Sequence, residues 1–380
     1  MDPWVQQEAA AIARRATREL EALVAVSSPS GDVHGAEECA AVCAALLPAE
    51  AEVERPECST PAHAPDLLAT LRGSGSRRIL LLGHVDTVIA HAHHKPLTRD
   101  GDRLLGSGAV DMKGGVVLAL GALRALVARS ADFAEAALLL VCDEEWRAAP
   151  FAHAPRFAGW DACLCFEAGE LTPDGGEGVV VRRKAAGTIK VHARGRAAHS
   201  GSAPDRGRNS LLALAAAAQA VAARHAPDGP EHLTAVPTVL HAGEAFNVVP
   251  GRGELWCDLR ADSDKAILEV FDAIPRDVGG VALKPELERL WPGMSSEAAT
   301  APLLERAGAA LGRPVVGVRR GGASDASHIA AVVPLTVDGL GPRGGKAHNP
   351  GEFVLEESLA SRAEVALALI DAALRAEAAS

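Results

Sequence analysis

The sequence predicts an α/β fold: a mainly parallel mixed sheet flanked by helices, with a smaller α+β module inserted into it. Two observations carry this. The runs Ile79 to Leu82, Ala136 to Cys142 and Ala162 to Phe166 are short, apolar and non-alternating, as expected of central strands covered on both faces. From about Arg183 to Pro292 the texture changes to β-patterned segments around two helices, which reads as a separate α+β unit. With 380 residues, 48% of them hydrophobic, the chain is long enough to bury a substantial core in one large or two ordinary domains.

Taken in order, apolar residues recur at helical spacing from Trp4 to about Val26, and Ser28-Pro29-Ser30-Gly31 stops that helix with turn residues. A second helix is expected over Ala36 to Leu47. The strand Ile79 to Leu82 runs into Gly83-His84, and Gly114 to Val127 reads as a helix. The strand Ala136 to Cys142 ends in Asp143-Glu144-Glu145, and Ala162 to Phe166 ends at Glu167. In the module we expect strands at Thr188 to Ala193, Thr234 to Leu240, Gly253 to Arg260 and Val281 to Leu283, with helices near Asn209 to Arg224 and Asp264 to Ile274. Beyond it, Pro314 to Val318 and Val332 to Val337 read as core strands and Glu356 to Ala376 as a final helix. The expected domains are therefore 1–182 with 293–380, and 183–292 inserted between them.

Composition narrows the function. A net charge of −11 argues against a nucleic-acid partner, since phosphate binding needs a basic face. No apolar run reaches the length of a membrane span, and the N-terminal stretch lacks the pattern of a signal peptide, so a cytoplasmic location is expected. Seven cysteines is an odd count, and Cys142, Cys163 and Cys165 sit in apolar runs where free cysteine acts as a small hydrophobe. Cys39 and Cys43, one helical turn apart without a second pair nearby, are read as packing.

The residues that end the strands are of one chemical kind. His84 and Asp86 form a His-x-Asp unit on an extended segment, with both side chains on one side; His84 can ligate a metal, and Asp86 is read as the carboxylate that orients it. Alone this is a weak signal. Asp111, just before a helix, can bridge two cations, although an ordinary helix N-cap is the simpler reading. Glu144-Glu145 is stranger, because adjacent acids after an apolar run repel unless cations compensate them; one can bind metal while the other takes a proton from water. With Glu167 and the distant His348, these oxygen and nitrogen donors make the inventory of a two-zinc site. In an open α/β sheet such residues converge at the carboxyl ends of the strands.

The ordered set of motifs resembles the dizinc aminoacylase and carboxypeptidase metallopeptidase family, which includes carboxypeptidase G, acetylornithine deacetylase and succinyl-diaminopimelate desuccinylase. The resemblance spans nearly the whole length. It rests on Gly83-His84-Val85-Asp86-Thr87-Val88, Gly106 to Gly115 around Asp111, Asp143-Glu144-Glu145, Phe166-Glu167 and Gly195 to Gly201 with His199. Later matches are Asn247-Val248-Val249-Pro250, Asp258-Leu259-Arg260, Gly321-Gly322-Ala323-Ser324-Asp325 and His348-Asn349. It implies a zinc-peptidase-like domain holding two zinc ions, with cobalt or manganese as substitutes. His84 and Glu167 would hold one ion, Glu145 and His348 the other, Asp111 would bridge them, and Glu144 would be the general base. It also implies a cis peptide bond after Asp111 and an inserted module that is a lid and makes a homodimer. In that module His199 would steady the oxyanion, reaching the partner's cleft. Asn247, Arg260 and the loop of Gly321, Gly322 and Ser324 would contact the substrate and its free carboxylate.

Where the family continues into a Gly-Ser turn after Glu145, this chain has Trp146-Arg147-Ala148-Ala149-Pro150, a departure that bears on the pocket. A smaller one is Ala185-Ala186 in place of glycine. His91, His93 and His94 have no closed-site spacing and read as a solvated loop. The expected function is hydrolysis of a peptide or N-acyl amide next to a free carboxylate, most like a glutamate-type carboxypeptidase. The alternatives are an N-acyl amino acid deacetylase of the acetylornithine deacetylase kind and, more remotely, a non-catalytic metabolite-binding relative.

Overall fold

The computed structural model describes residues 2–376. The chain divides into two compact units, one running up to Arg182 and including Ser295–Arg319 and everything from Ser324 onward, the other Arg183–Met294 with Arg320–Ala323.

The first unit is built on a six-stranded mixed sheet in the order Glu52–Glu54, Leu67–Arg72, Phe133–Val141, Arg77–His84, Ala162–Cys165, Thr336–Val337. The last four strands are mutually parallel and the first two join antiparallel at one edge. Ile79, Leu80, Leu81 and Leu82 are all buried, because side chains on both faces of this central strand meet helices. Helix Gly114–Leu126 is apolar nearly all round and almost wholly buried, packing between the sheet and helices Pro3–Ala25 and Glu356–Leu374. Helix Pro3–Ala25 starts at an Asp2 cap whose carboxylate accepts from the Trp4 and Val5 amides.

Register sets the site. His84 pairs with Val141, and Leu82 pairs with Cys165, so the residues just after Val141 and Cys165 emerge level with His84. Gly115 allows helix Gly114–Leu126 to close on that edge: a Cβ there would stand 1.8 Å from the Phe166 carbonyl oxygen. The turn carrying Asp111 is thereby brought against the strand ends.

The second unit is a five-stranded antiparallel sheet, Thr234–Ala242, Arg252–Ala261, Ala185–Arg194, Val281–Trp291, Asp277–Val278, against which helices Ser210–Ala222 and Asp264–Ala273 pack. Ile189, Val191, Leu214, Leu255, Leu259 and Ile267 form its core. Ala185 and Ala186 stand inside its central strand, both buried.

Three expectations need correction. The segment Val332 to Val337 is a strand only at Thr336–Val337; before it helix Asp325–Ala330 ends in a turn in which the Val332 and Val333 amides bond back to Ile329. Val315–Arg320 belongs to a separate small sheet beside Glu177–Arg183 and is buried only in part. The strand expected at Val281 to Leu283 continues to Trp291, since its charged residues alternate outward while Val281, Leu283 and Pro285 point inward. Among the described residues no helix is long and apolar enough to cross a membrane.

Candidate metal centre

His84 closes the strand Arg77–His84 and is buried, 1% exposed. Its Nδ1 lies 3.0 Å from the Asp86 carbonyl oxygen and 3.4 Å from Asp86 Oδ1. That backbone contact assigns the proton to Nδ1, leaving Nε2 with its lone pair toward Asp111 Oδ1 at 3.3 Å and Glu167 Oε1 at 3.6 Å. The Asp86 carboxylate does more than orient the ring. Its two oxygens accept from the Glu144 and Glu145 amides, each at 3.1 Å, and so fix the turn after strand Phe133–Val141.

His348 enters from the other side, with Nε2 3.0 Å from Asp111 Oδ2 and 3.2 Å from Glu145 Oε2. It adopts a left-handed φ of 63°, rare for a side chain of its size and frequent at ligand clamps. Three groups of donors gather within 4.8 Å: His84, Asp111 and Glu167; His84, Glu144 and Glu145; Asp111, Glu145 and His348. Asp111 belongs to the first and the third, one carboxylate oxygen facing each histidine. It does not cap the following helix, whose N-cap position is Lys113, and the Asp111–Met112 peptide bond is cis.

The donor set fits divalent cations. His84 Nε2 and Glu145 Oε1 are buried without a hydrogen-bond partner, and four carboxylates converge with only two imidazoles among them. The electrostatics carry the same message. Burial pushes the Glu144 carboxyl up to about 7, against the pull of His84 and with the push of Glu145 and Asp111. Burial, then Asp111, raises Glu167 well above the carboxylate range. Burial works to raise Asp111 too, but the neighbouring imidazoles of His348 and His84 outweigh it and hold it low. His348 is raised to about 10 by its bonds to Asp111 and Glu145. A cation held here would supply the positive charge that these converging carboxylates call for.

Glu352 is a residue that the sequence reading passed over. It is 2% exposed, and its carboxylate accepts from the amides of Gly108 at 2.8 Å, Val110 at 2.8 Å and Asp111 at 2.9 Å. Burial pushes it up to about 7 despite these donors. Lying four residues after His348, it couples the two segments that contribute Asp111 and His348. Its signal was present in His348-Asn349-Pro350-Gly351-Glu352, an acid just past a ligand histidine.

The remaining site candidates stand apart in chemistry. In the second unit, His199 Nδ1 accepts from the Gly201 amide at 3.1 Å and the Ser202 amide at 3.2 Å, so the neutral ring carries its proton on Nε2. Asn247 is exposed and its carbonyl accepts from the Ser200 amide at 2.9 Å. Arg260 Nε and Nη2 fork onto Asp258 at 3.2 and 3.0 Å, which uses one edge of the guanidinium. Gly322 accepts from Arg183, and Gly321 has open space around its α-carbon. In the first unit the Ser324 hydroxyl is buried and donates to Asp338 Oδ2 at 2.6 Å. His91 and His93 lie exposed in a short turn, as a solvated loop should, but His94 is partly buried, its Nε2 out of reach of solvent.

Comparison with known proteins agrees with this architecture. Residues 80–372 match the pattern of Peptidase family M20/M25/M40. Carboxypeptidase G2 of Pseudomonas sp. (strain RS-16) is 26% identical over 373 residues, covering 92% of this chain and 87% of that protein. A succinyl-diaminopimelate desuccinylase of Methylorubrum extorquens (strain PA1) is 30% identical over 319 residues, covering 76% of this chain and 81% of that protein. The aminopeptidase PepT from Bacillus cereus ATCC 10987 shares the fold with a TM-score of 0.76 at 21% identity, over 95% of this chain and 98% of that one. With a match over most of its length and a converging set of histidines and carboxylates at the strand ends, the chain belongs to peptidase family M20/M25/M40 and is a metallo-hydrolase.

Proposed function

We propose that the protein hydrolyses a peptide or N-acyl amide bond adjacent to a free carboxylate, most like a glutamate-type carboxypeptidase, and that it does so with two divalent cations, zinc first among them. The observation that carries this reading is Asp111, whose two oxygens face His84 and His348 separately and so suit a bridge between two ions. His84 and Glu167 are then the private ligands of one ion, Glu145 and His348 those of the other. Bound there, the cations would polarise the scissile carbonyl and lower the pKa of the attacking water.

The chain's own groups do the rest. Glu144 makes no close ion pair with either histidine, and its backbone is fixed by Asp86; its carboxylate takes a proton from water and returns it to the leaving nitrogen. His199, with Nδ1 held as an acceptor, presents Nε2–H as a donor for the oxyanion. Arg260 keeps one guanidinium edge for the substrate carboxylate, and Asn247 and the loop at Gly321 and Gly322 supply further substrate contacts. Ser324 serves by fixing the start of helix Asp325–Ala330 through Asp338, its hydroxyl being committed there.

In this reading residues 1–182 and 293–380 are the catalytic domain and residues 183–292 a lid that also makes a homodimer. Support for the dimer comes from exposed Leu211 and Leu212 on helix Ser210–Ala222 and exposed Val236, Val239 and Leu240 on the edge strand Thr234–Ala242. Seven free cysteines, nearly all buried, suit the reducing cytoplasm. The relative named as a succinyl-diaminopimelate desuccinylase favours a second reading, removal of an N-acyl group from an amino acid. Hydrolysis of C-terminal glutamate conjugates and of N-acyl amino acids, assayed side by side with added zinc, cobalt or manganese, tests the proposal. Faster turnover of the glutamate conjugates supports the carboxypeptidase reading, preference for N-acyl amino acids supports the second, and no hydrolysis of either contradicts both.

A further inference from the structure

The segment after Glu145 carries a buried arginine beside an exposed tryptophan. Trp146 points outward, 62% exposed, while Arg147 beside it is 1% exposed. Arg147 Nη1 donates to Asp143 Oδ1 at 2.8 Å, and its other nitrogen, Nη2, pairs with Asp325 at the start of helix Asp325–Ala330. The guanidinium carbon lies 4.7 Å from the centre of the Phe151 ring, which stacks on His328 from the same helix. Asp143 is occupied on its far side as well, its Oδ2 accepting from the Thr60 amide at 2.9 Å and hydroxyl at 2.6 Å.

We propose that Arg147 is a positioning residue for proton transfer: its buried fork ties the Asp143-Glu144-Glu145 turn to helix Asp325–Ala330 and so fixes where the Glu144 carboxylate stands. The turn is clamped at three successive points. The Cys142 amide donates to Asp66, itself paired with His153; the Asp143 side chain is held by Thr60 and Arg147; the Glu144 and Glu145 amides are held by Asp86. Of these holds, only Arg147 connects the turn to the segment carrying Ser324 and Asp325. A planar fork spanning two carboxylates suits this task in a way a lysine ammonium does not.

The inference rests on Glu144 acting as the base, and the experiment separates the two. With metal-loaded protein and an amide that the wild type hydrolyses, Arg147→Met should lower kcat by about 10- to 100-fold, the size of effect that a small misplacement of a reacting group produces. At saturating metal its metal content should equal that of the wild type, so that the loss is read in kcat alone. Arg147→Lys keeps the buried charge and so tests the fork in a protein that folds; its kcat should fall as well. In Arg147→Gly, millimolar guanidinium chloride should restore part of the lost kcat, and it should restore none in Glu144→Gln. A kcat within about twofold of wild type in folded Arg147→Met or Arg147→Lys overturns the proposal, as does a loss that only follows the unfolded fraction and is not relieved by guanidinium. If the wild type hydrolyses no amide, the functional reading fails and Arg147 is tested by cobalt(II) chloride titration. Because Glu145 lies on the same turn, Arg147→Met should then weaken cobalt(II) binding by about tenfold, and unchanged binding overturns the proposal.

Discussion

Glu144, the proposed base, and Arg260, the proposed fork for a substrate carboxylate, are held in opposite ways. The backbone of Glu144 is fixed by Asp86, as is that of Glu145, the Asp143 side chain by Thr60 and Arg147, and the Asp111 turn by three amides bonded to Glu352. Arg260 stands on the antiparallel sheet of the inserted module with a single side-chain partner, Asp258, and Asn247 is exposed there. Groups that must meet a reacting atom at a fixed distance are over-determined by buried polar contacts. Groups that recognise the rest of a substrate are tied lightly, so their identity can vary without disturbing the chemistry.

The sharpest way to break this contrast is to change the base without touching its supports. Glu144→Gln preserves size and leaves the ligands in place, so metal content should be unchanged while kcat falls by about 10²- to 10⁴-fold. Glu145→Gln should instead reduce metal content toward one ion per chain. Equal behaviour of the two variants, by elemental analysis and turnover, would overturn the proposed division between base and ligand.

On the recognition side, Arg260→Ala should lower kcat/KM on carboxylate-bearing amides by about 2–4 kcal/mol of apparent transition-state binding and leave metal content alone. An unchanged efficiency would remove Arg260 from the site. The supports of the metal centre come next. Glu352→Gln turns one acceptor oxygen into an NH2 facing backbone amides, and it should weaken metal binding by about 10- to 100-fold in a chelator competition. Wild-type affinity would mean that the three amides hold the Asp111 turn without it.

A smaller effect tests whether the two regions meet across a dimer. His199→Ala and Glu144→Gln proteins, each nearly inactive, should recover part of the activity when mixed and allowed to exchange subunits, because one heterodimer site then contains both groups. No recovery despite verified exchange would mean that His199 acts within its own chain or not at all.

Part of the candidate metal centre was legible in the sequence because its logic is local: His84, Glu144, Glu145 and Glu167 close or follow buried apolar strands whose register brings the ends level, whereas Asp111 precedes a helix and His348 lies in a loop. The sequence disclosed the module's two helices for the same reason of periodicity. It did not disclose Glu352, whose role depends on three amides more than two hundred residues away. Nor did it disclose Arg147, since an arginine in a loop reads as solvated until Asp143 and Asp325 are seen to enclose it. The strand expected at Val332 to Val337 misled for a related reason: a β-branched pair fits a partly buried turn after a helix as well as a strand.

The central claim is that Asp111 bridges two cations, and zinc-edge anomalous diffraction from zinc-loaded crystals tests it most directly. The account predicts two peaks about 3.5–4 Å apart, one between His84 and Glu167 and one between Glu145 and His348, with an Asp111 oxygen on each. A single peak, or two peaks with Asp111 turned away from both, would contradict it.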